Sequence, residues 1–242
     1  MNRLEGKTAL ITGASRGIGQ GLAEAFSAEG ATLIITARSS DRLNELAKRL
    51  SKGGMDVLPI KADVTDEQDV DRLFTEAIAR FPRLDILVNN AGVFDGGPLD
   101  ELSLESWEKV MAVNLRGPFL CTRQAMRIMK KQRGGRIINI GSIAAQRVRP
   151  FSAPYSTSKH GLWGLTQVTA LEGRQFGITC GCLHPGNTEV ESLAEDRKIS
   201  PEPVMKVEDW AQVAVAMASL PPEVNLLDAI VLPVGQLYLG RG

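Results

Sequence analysis

TALITGASRGIG, from Thr8 to Gly19, reads as a buried strand that breaks into a glycine-rich turn and then into a helix. The apolar run Thr8 to Ile11 has the length and branching of a strand covered on both faces, and a helical pattern begins after Gly19. That order is the context in which a glycine turn can receive a pyrophosphate. Gly13, Gly17 and Gly19 then have separate uses. Without a Cβ they allow a tight turn, a close approach of phosphate to backbone, and close packing of helix on strand. The helix N-terminus faces the phosphate charge.

Working outward, strand-like and helix-like patterns alternate along the whole chain, which argues for a doubly wound α/β fold with a parallel sheet covered on both faces. Seven strands are expected, at 7–12, 31–36, 56–61, 84–89, 135–140, 178–184 and 229–234. Helices are expected between them, at 17–29, 41–51, 67–80, 104–131, 153–176 and 207–219. Thr65 with Gln68 reads as a capping box, Ser103 as an N-cap, and Gly30 and Gly177 as left-handed helix stops. No domain boundary interrupts residues 1–242, so one nucleotide-binding domain is expected. The polar stretch 187–206, with Pro201 and Pro203 and no period, reads as a lid over the substrate.

Composition narrows the function classes. The 242 residues carry 43% apolar side chains, enough for a substantial core, and no run long enough to cross a membrane. Lys plus Arg and Asp plus Glu are 28 each, so no overall field draws nucleic acid or an anionic membrane. The N-terminus runs almost directly into the first strand, from which a cytoplasmic protein without a leader peptide is expected. Cys121, Cys180 and Cys182 have no zinc-ligand spacing and an odd count, so buried reduced thiols are expected and no metal site.

The turn is spaced Gly-x-x-x-Gly-x-Gly, unlike the commoner Gly-x-Gly-x-x-Gly. NNAG follows at Asn89 to Gly92, then Asn114, Ser142 in GSIAA, Tyr155 and Lys159 in YSTSK, and Pro185-Gly186. In this order and spacing the chain resembles the short-chain dehydrogenase/reductase family in its compact single-domain branch. The resemblance runs from residue 12 to residue 186 and implies a Rossmann-type sheet of seven strands, a nicotinamide cofactor and an oxidoreductase.

Gly13, Ser15, Arg16, Gly17, Ile18 and Gly19 match the family's phosphate loop. Asp63 and Val64 match its adenine contact, Ala91 and Gly92 its approach to the ribose, and Pro185-Gly186 its turn against the nicotinamide. Asn89 is as suited to holding the sheet together as to touching a ligand. At the end of the second strand Ala37 stands where NAD-preferring relatives carry Asp. Arg38 follows it, and with Arg16 it can pair with a 2′-phosphate. NADP(H) is therefore expected over NAD(H). The chain departs from the family at Val190, where Thr is common, leaving Thr188 as a substitute, and it lacks the usual Asp-Gly-Gly near its end.

Tyr155 and Lys159 are four apart on an expected helix and so share a face. A phenol is ordinarily a poor proton shuttle at neutral pH, and a neighbouring ammonium favours its charged form. The resemblance makes Tyr155 the general acid/base. It gives Ser142 a hydrogen bond to the carbonyl oxygen, Lys159 the ribose hydroxyls, and Asn114 a water relay behind Lys159.

His184, at a strand end, is expected to be satisfied by backbone, and His160 to point away from the Tyr155 face. The resemblance sets Val93, Phe94, Ile143, Ala144, Phe151 and Gly186 as pocket walls. Arg147 and Arg149 are within reach of an acidic substrate, although loop arginines are ordinarily solvated. The substrate expected is a small carbonyl or alcohol. The same fold also serves NADP-dependent epimerases and dehydratases, and non-catalytic nucleotide sensors, which would be expected to lack Ser142, Tyr155 or Lys159. Broad apolar coverage of the 104–131 and 153–176 helices, including Leu162, Trp163, Leu165 and Val168, points to burial on a second face, and the resemblance, in which these helices form a dimer interface, implies a homodimer or homotetramer.

Overall fold

The computed structural model describes residues 2–189 and 202–238. Seven strands, β1 (Thr8–Thr12), β2 (Thr32–Ala37), β3 (Val57–Lys61), β4 (Ile86–Asn89), β5 (Gly135–Ile140), β6 (Ile178–Pro185) and β7 (Asp228–Val231), form one parallel sheet in the order 3-2-1-4-5-6-7. The chain direction across the sheet reverses between β1 and β4, and ligands of such sheets bind beyond the strand C-termini at that point.

Alternation within the strands explains the layers. Ala9 and Ile11 of β1, Leu33 and Ile35 of β2, and Ile138 and Ile140 of β5 pack under α1 (Gly17–Ala28), α2 (Ser40–Ser51) and α7 (Val207–Ser219). Their neighbours Leu10, Ile34 and Ile137 point the other way, against α3 (Glu67–Arg80) and α5 (Gly117–Gln132). Each fully buried aliphatic side chain stabilises the fold by roughly 1.5–3 kcal/mol. α4 (Leu104–Met111) and α6 (Ala153–Gly173) complete the set. Among the described residues no helix is long and apolar enough to cross a membrane.

Three details differ from the sequence reading. Asp66, not Thr65, caps α3, accepting from Gln68 N at 2.8 Å and Asp69 N at 3.0 Å, while the Thr65 hydroxyl donates to Asp63. A carboxylate there also meets the positive end of the helix dipole. The expected 104–131 helix contains a π-helical turn, Ala112–Arg116, between α4 and α5. β7 stops at Val231, two residues before Pro233, which has no N–H to donate to a neighbouring strand.

Ser103 caps α4 as expected, accepting from Ser106 N, and Gly30 and Gly177 take left-handed conformations with φ of 87° and 69°. The lid expected at 187–206 falls largely on residues 190–201, outside the described residues; Val190 lies there too. Of its ends, Thr188 bridges to Met205.

Candidate active site

A cleft of about 700 Å³ opens along the C-terminal ends of the strands, from the glycine turn to Tyr155. At one end the turn makes a cradle that side chains would fill. A Cβ on Gly19 would lie 2.2 Å from Gly13 O, and one on Gly13, whose φ is 66°, would lie 2.8 Å from Ala91 Cα. The first turn of α1 carries no acidic residue, and its N-cap, Arg16, gives no side-chain hydrogen bond to the helix amides. Amides left uncapped at a helix N-terminus, lining a cleft beside Arg16, suit a phosphate group.

Ser15, Gly17, Ile18, Arg38, Asp63, Val64, Ala91, Gly92, Pro185, Gly186 and Thr188 line the same cleft. Asp63 is held by Thr65, whose N–H and hydroxyl both donate to its Oδ1. The Thr188 hydroxyl donates to Gly186 O at 3.1 Å.

Asn89 stands apart from this set. It is buried, donating to Thr122 Oγ1 at 3.0 Å and Asn139 Oδ1 at 2.8 Å; Asn139 in turn donates to Thr166. This chain of polar groups ties β4 and β5 to α5 and α6 beneath the cleft. Its neighbour Asn90 faces the cleft instead and donates to Thr12 O and Gly13 O, bracing the turn. Successive strand residues face opposite sides, so a register of one separates the two roles.

Sequence reading also passed over Ser39 and Arg42, which border the cleft beside Arg38, and Gln236. Gln236 Oε1 accepts from Asn187 N at 2.9 Å, holding the Gly186 turn from the far end of the chain. Phe151 is not a cleft wall. It is exposed, with φ of 62°, and Arg147, Arg149 and Ser152 take the place expected for it.

At the other end of the cleft, Ser142 lies just beyond β5, and Tyr155 and Lys159 lie on one face of α6. Lys159 Nζ donates to Ile140 O at 2.8 Å and sits 5.6 Å from the Tyr155 ring centroid. An ammonium has three donors, so two remain for other partners. The Phe94 ring, 5.2 Å from that of Tyr155 and tilted by 60°, limits how the phenol can swing. Ser142 Oγ accepts from Ala144 N at 3.1 Å, which leaves its O–H to donate.

Asn114 sits in the π-helical turn, a local distortion often found at functional sites. Its amide donates to Val93 O and Ser158 Oγ, and its Oδ1 accepts from Val93 N. Among the described residues no cluster of side chains suits a metal ion.

Residues 7–200 match the family model described as short chain dehydrogenase. The chain belongs to the short-chain dehydrogenase/reductase family. It is 38% identical over 187 residues to a 3-oxoacyl-(acyl-carrier-protein) reductase of Synechocystis, covering 77% of this chain and 76% of that one. It is 37% identical to a mitochondrial borneol dehydrogenase of Lavandula x intermedia, covering 90% and 86%. Among solved structures, a gluconate 5-dehydrogenase from Burkholderia cenocepacia, in complex with NADP and tartrate, superposes with a TM-score of 0.88 at 32% identity and 95% coverage of both chains. This chain is accordingly an NAD(P)-dependent enzyme of that family.

In this short-chain dehydrogenase His184 is fully buried behind Ser142. Its Nδ1 lies 2.8 Å from Ser142 O and 3.2 Å from Ser142 N, so either neutral tautomer finds a partner there. Nε2 is 3.3 Å from Asp228 Oδ1 but off hydrogen-bond geometry. Burial pushes the imidazole below its usual 6.5, while the Ser142 backbone and Asp228 pull it up and Lys159 pushes it further down. Because the folded value lies below the unfolded one, the unfolded chain binds the proton first as pH falls. We expect thermal stability to decline as pH drops below about 6.5, the unperturbed histidine value. His184→Asn should flatten that decline in melting curves taken from pH 7.5 to 5.5, and an unchanged slope would count against it.

His160 is exposed and its Nδ1 meets Ser156 O, as expected for a residue off the Tyr155 face. The three cysteines are buried free thiols. Burial pushes Cys121 and Cys182 up to about 12, and Cys180 higher still, so all three stay protonated and unreactive near neutrality.

Proposed function

We propose that this enzyme reduces a carbonyl compound with NADPH, or oxidises the matching secondary alcohol in reverse, with Tyr155 as proton donor and acceptor. The observation that carries the reading is the meeting, in one cleft, of an uncapped glycine-rich helix start with Ser142, Tyr155 and Lys159. The nicotinamide supplies or accepts the hydride. Tyr155 gives its phenolic proton to the carbonyl oxygen, and the free Ser142 O–H holds the same oxygen in place. Lys159, with one donor on Ile140 O, has two left that would hold the ribose hydroxyls, and its charge steadies the phenolate that Tyr155 becomes. Asn114, fixed by Val93 and Ser158, backs Lys159 and anchors a proton path to solvent.

Preference for NADP(H) over NAD(H) rests on Ala37, Arg38, Arg16 and Arg42, which border the cleft together, with Asp63 its one lining carboxylate among the described residues. The NADP held by the Burkholderia neighbour accords with it. A panel of ketones, aldehydes and secondary alcohols, followed by NADPH absorbance, tests the reading. Turnover of some member is expected, and no turnover of any member in either direction would contradict it.

The same reading includes a homo-oligomer working in the cytoplasm on a small molecule, with no nucleic acid or membrane partner. Leu104 on α4, Phe119 on α5, and Val168 and Leu171 on α6 are exposed apolar side chains on adjacent helices, with Val168 52% and Leu171 62% accessible. Apolar area of that kind marks a contact surface. Light scattering should give a mass of at least twice the 26.2 kDa chain, and a monodisperse monomer at micromolar concentration would refute the oligomer.

A further inference from the structure

Charge is distributed unevenly between the cleft and the rest of the molecule. The chain as a whole balances 28 basic against 28 acidic residues. The cleft is lined by Arg16, Arg38, Arg42, Arg147, Arg149 and Lys159 against Asp63 alone among the described residues. The first three border the glycine turn and the end of β2, where a phosphorylated cofactor accounts for them, and Lys159 belongs to Tyr155. Arg147 and Arg149 remain, at the Ser142 end, and the catalytic reading gives them nothing to do.

The two are not equivalent. Arg149 is held 3.0 Å from Glu202, so its charge is already matched. Arg147 has no ion-pair partner among the described residues; its guanidinium lies 5.4 Å from the ring centroid of the buried Tyr238. The Tyr238 hydroxyl in turn donates to Gln146, the residue before Arg147. The backbone of Arg147 belongs to the tight turn that begins at Ser142. Ala145 N donates to Ser142 O at 2.9 Å, and the N–H groups of Gln146 and Arg147 both donate to Ile143 O. An unmatched guanidinium is thus mounted on the same turn as the hydroxyl that holds the reacting oxygen. With Arg149 matched by Glu202, Arg147 is the arginine at this end left to meet an anionic group on a ligand.

We propose that Arg147 anchors a carboxylate on the substrate, so that the compounds this enzyme turns over best are oxo acids and the corresponding hydroxy acids. A planar guanidinium receives a carboxylate through paired hydrogen bonds. Arg149, tied to Glu202, walls the site without competing for the anion. The inference rests on the carbonyl-reductase reading and narrows its substrate class.

The test compares oxo acids of increasing chain length with their methyl esters under NADPH. In the wild type the best acid should exceed its ester in kcat/KM by about tenfold or more, the size of one charge-assisted hydrogen bond. Arg147→Met keeps the side-chain stem and removes the charge, and the acid-to-ester ratio should fall toward one, chiefly through KM for the acid. Calorimetric titration of the enzyme with NADPH bound, using each hydroxy acid of the series, gives a readout independent of turnover. Binding should weaken by a similar factor in Arg147→Met.

Equal use of acid and ester by the wild type would overturn the proposal. So would a ratio or a hydroxy-acid affinity unmoved by Arg147→Met, or a clear preference for a phosphate-bearing carbonyl. Reduction of neutral ketones alone would remove this inference and leave the catalytic reading intact. If no carbonyl of either kind is reduced, the catalytic reading fails, and the calorimetry still decides whether Arg147 binds a carboxylate.

Discussion

Tyr155→Phe is expected to lower turnover by about 10²- to 10⁴-fold, the usual contribution of a positioned general acid, while leaving NADPH affinity within a small factor of wild type. The substitution removes one oxygen and keeps the ring that packs 5.2 Å from Phe94, so the local structure has little reason to move. Ser142 already uses an oxygen lone pair on Ala144 N and has only its O–H to offer. That hydroxyl can hold the carbonyl oxygen but is a poor proton source. Lys159→Ala should behave differently, damaging turnover and cofactor affinity together, because its ammonium lies beside the phenol and, in the proposed function, would also hold the ribose. It should also cost some stability, since Ile140 O loses its buried partner. Steady-state rates beside fluorescence titration of NADPH separate the two patterns. Near wild-type turnover in Tyr155→Phe would mean that another acid serves the site.

The double change Ala37→Asp with Arg38→Ile should reverse the cofactor preference from NADPH to NADH, a swing of about 10²-fold or more in the ratio of the two kcat/KM values. Ala37 ends β2 at the rim of the cleft, so a carboxylate there meets the ribose hydroxyls of NADH and repels a 2′-phosphate. Losing Arg38 removes a cation from the phosphate, though Arg16 and Arg42 stay, so NADPH should weaken without being excluded. Equal or better use of NADH by the unaltered enzyme, at matched subsaturating cofactor, would contradict the expectation.

Much of this was legible in the sequence because local rules and the global fold agree. The period-two pattern of β1, β2 and β5 sets which side chains enter which core layer, and Gly30 and Gly177 stop their helices where only a left-handed residue fits easily. What was not legible depended on long-range geometry. Whether Asn89 or Asn90 faces the cleft turns on the exact register of a four-residue strand, and the two differ only in which side of the sheet they point to. Gln236 reaches Asn187 across 49 positions of sequence, and no local pattern announces such a partner. Phe151 was expected to line the pocket from the resemblance, whereas it takes a positive φ and is exposed, and Arg147, Arg149 and Ser152 border the cleft instead. The π-helical turn around Asn114 is also absent from any hydrophobic period, since it adds a residue to one turn for the sake of a side chain that bonds Val93.

The central claim is that this cleft passes a hydride between a nicotinamide and a carbonyl carbon, with the proton coming from Tyr155. The most direct measurement gives the enzyme NADPH deuterated at the transferring position, with the carbonyl panel, and reads the products by mass spectrometry. The account predicts one deuterium on the carbinol carbon of the alcohol formed by the wild type, and formation of that alcohol reduced by at least 10²-fold in Tyr155→Phe. An enzyme that binds NADPH tightly yet yields no labelled alcohol, or a Tyr155→Phe variant that labels product as fast as wild type, would contradict it.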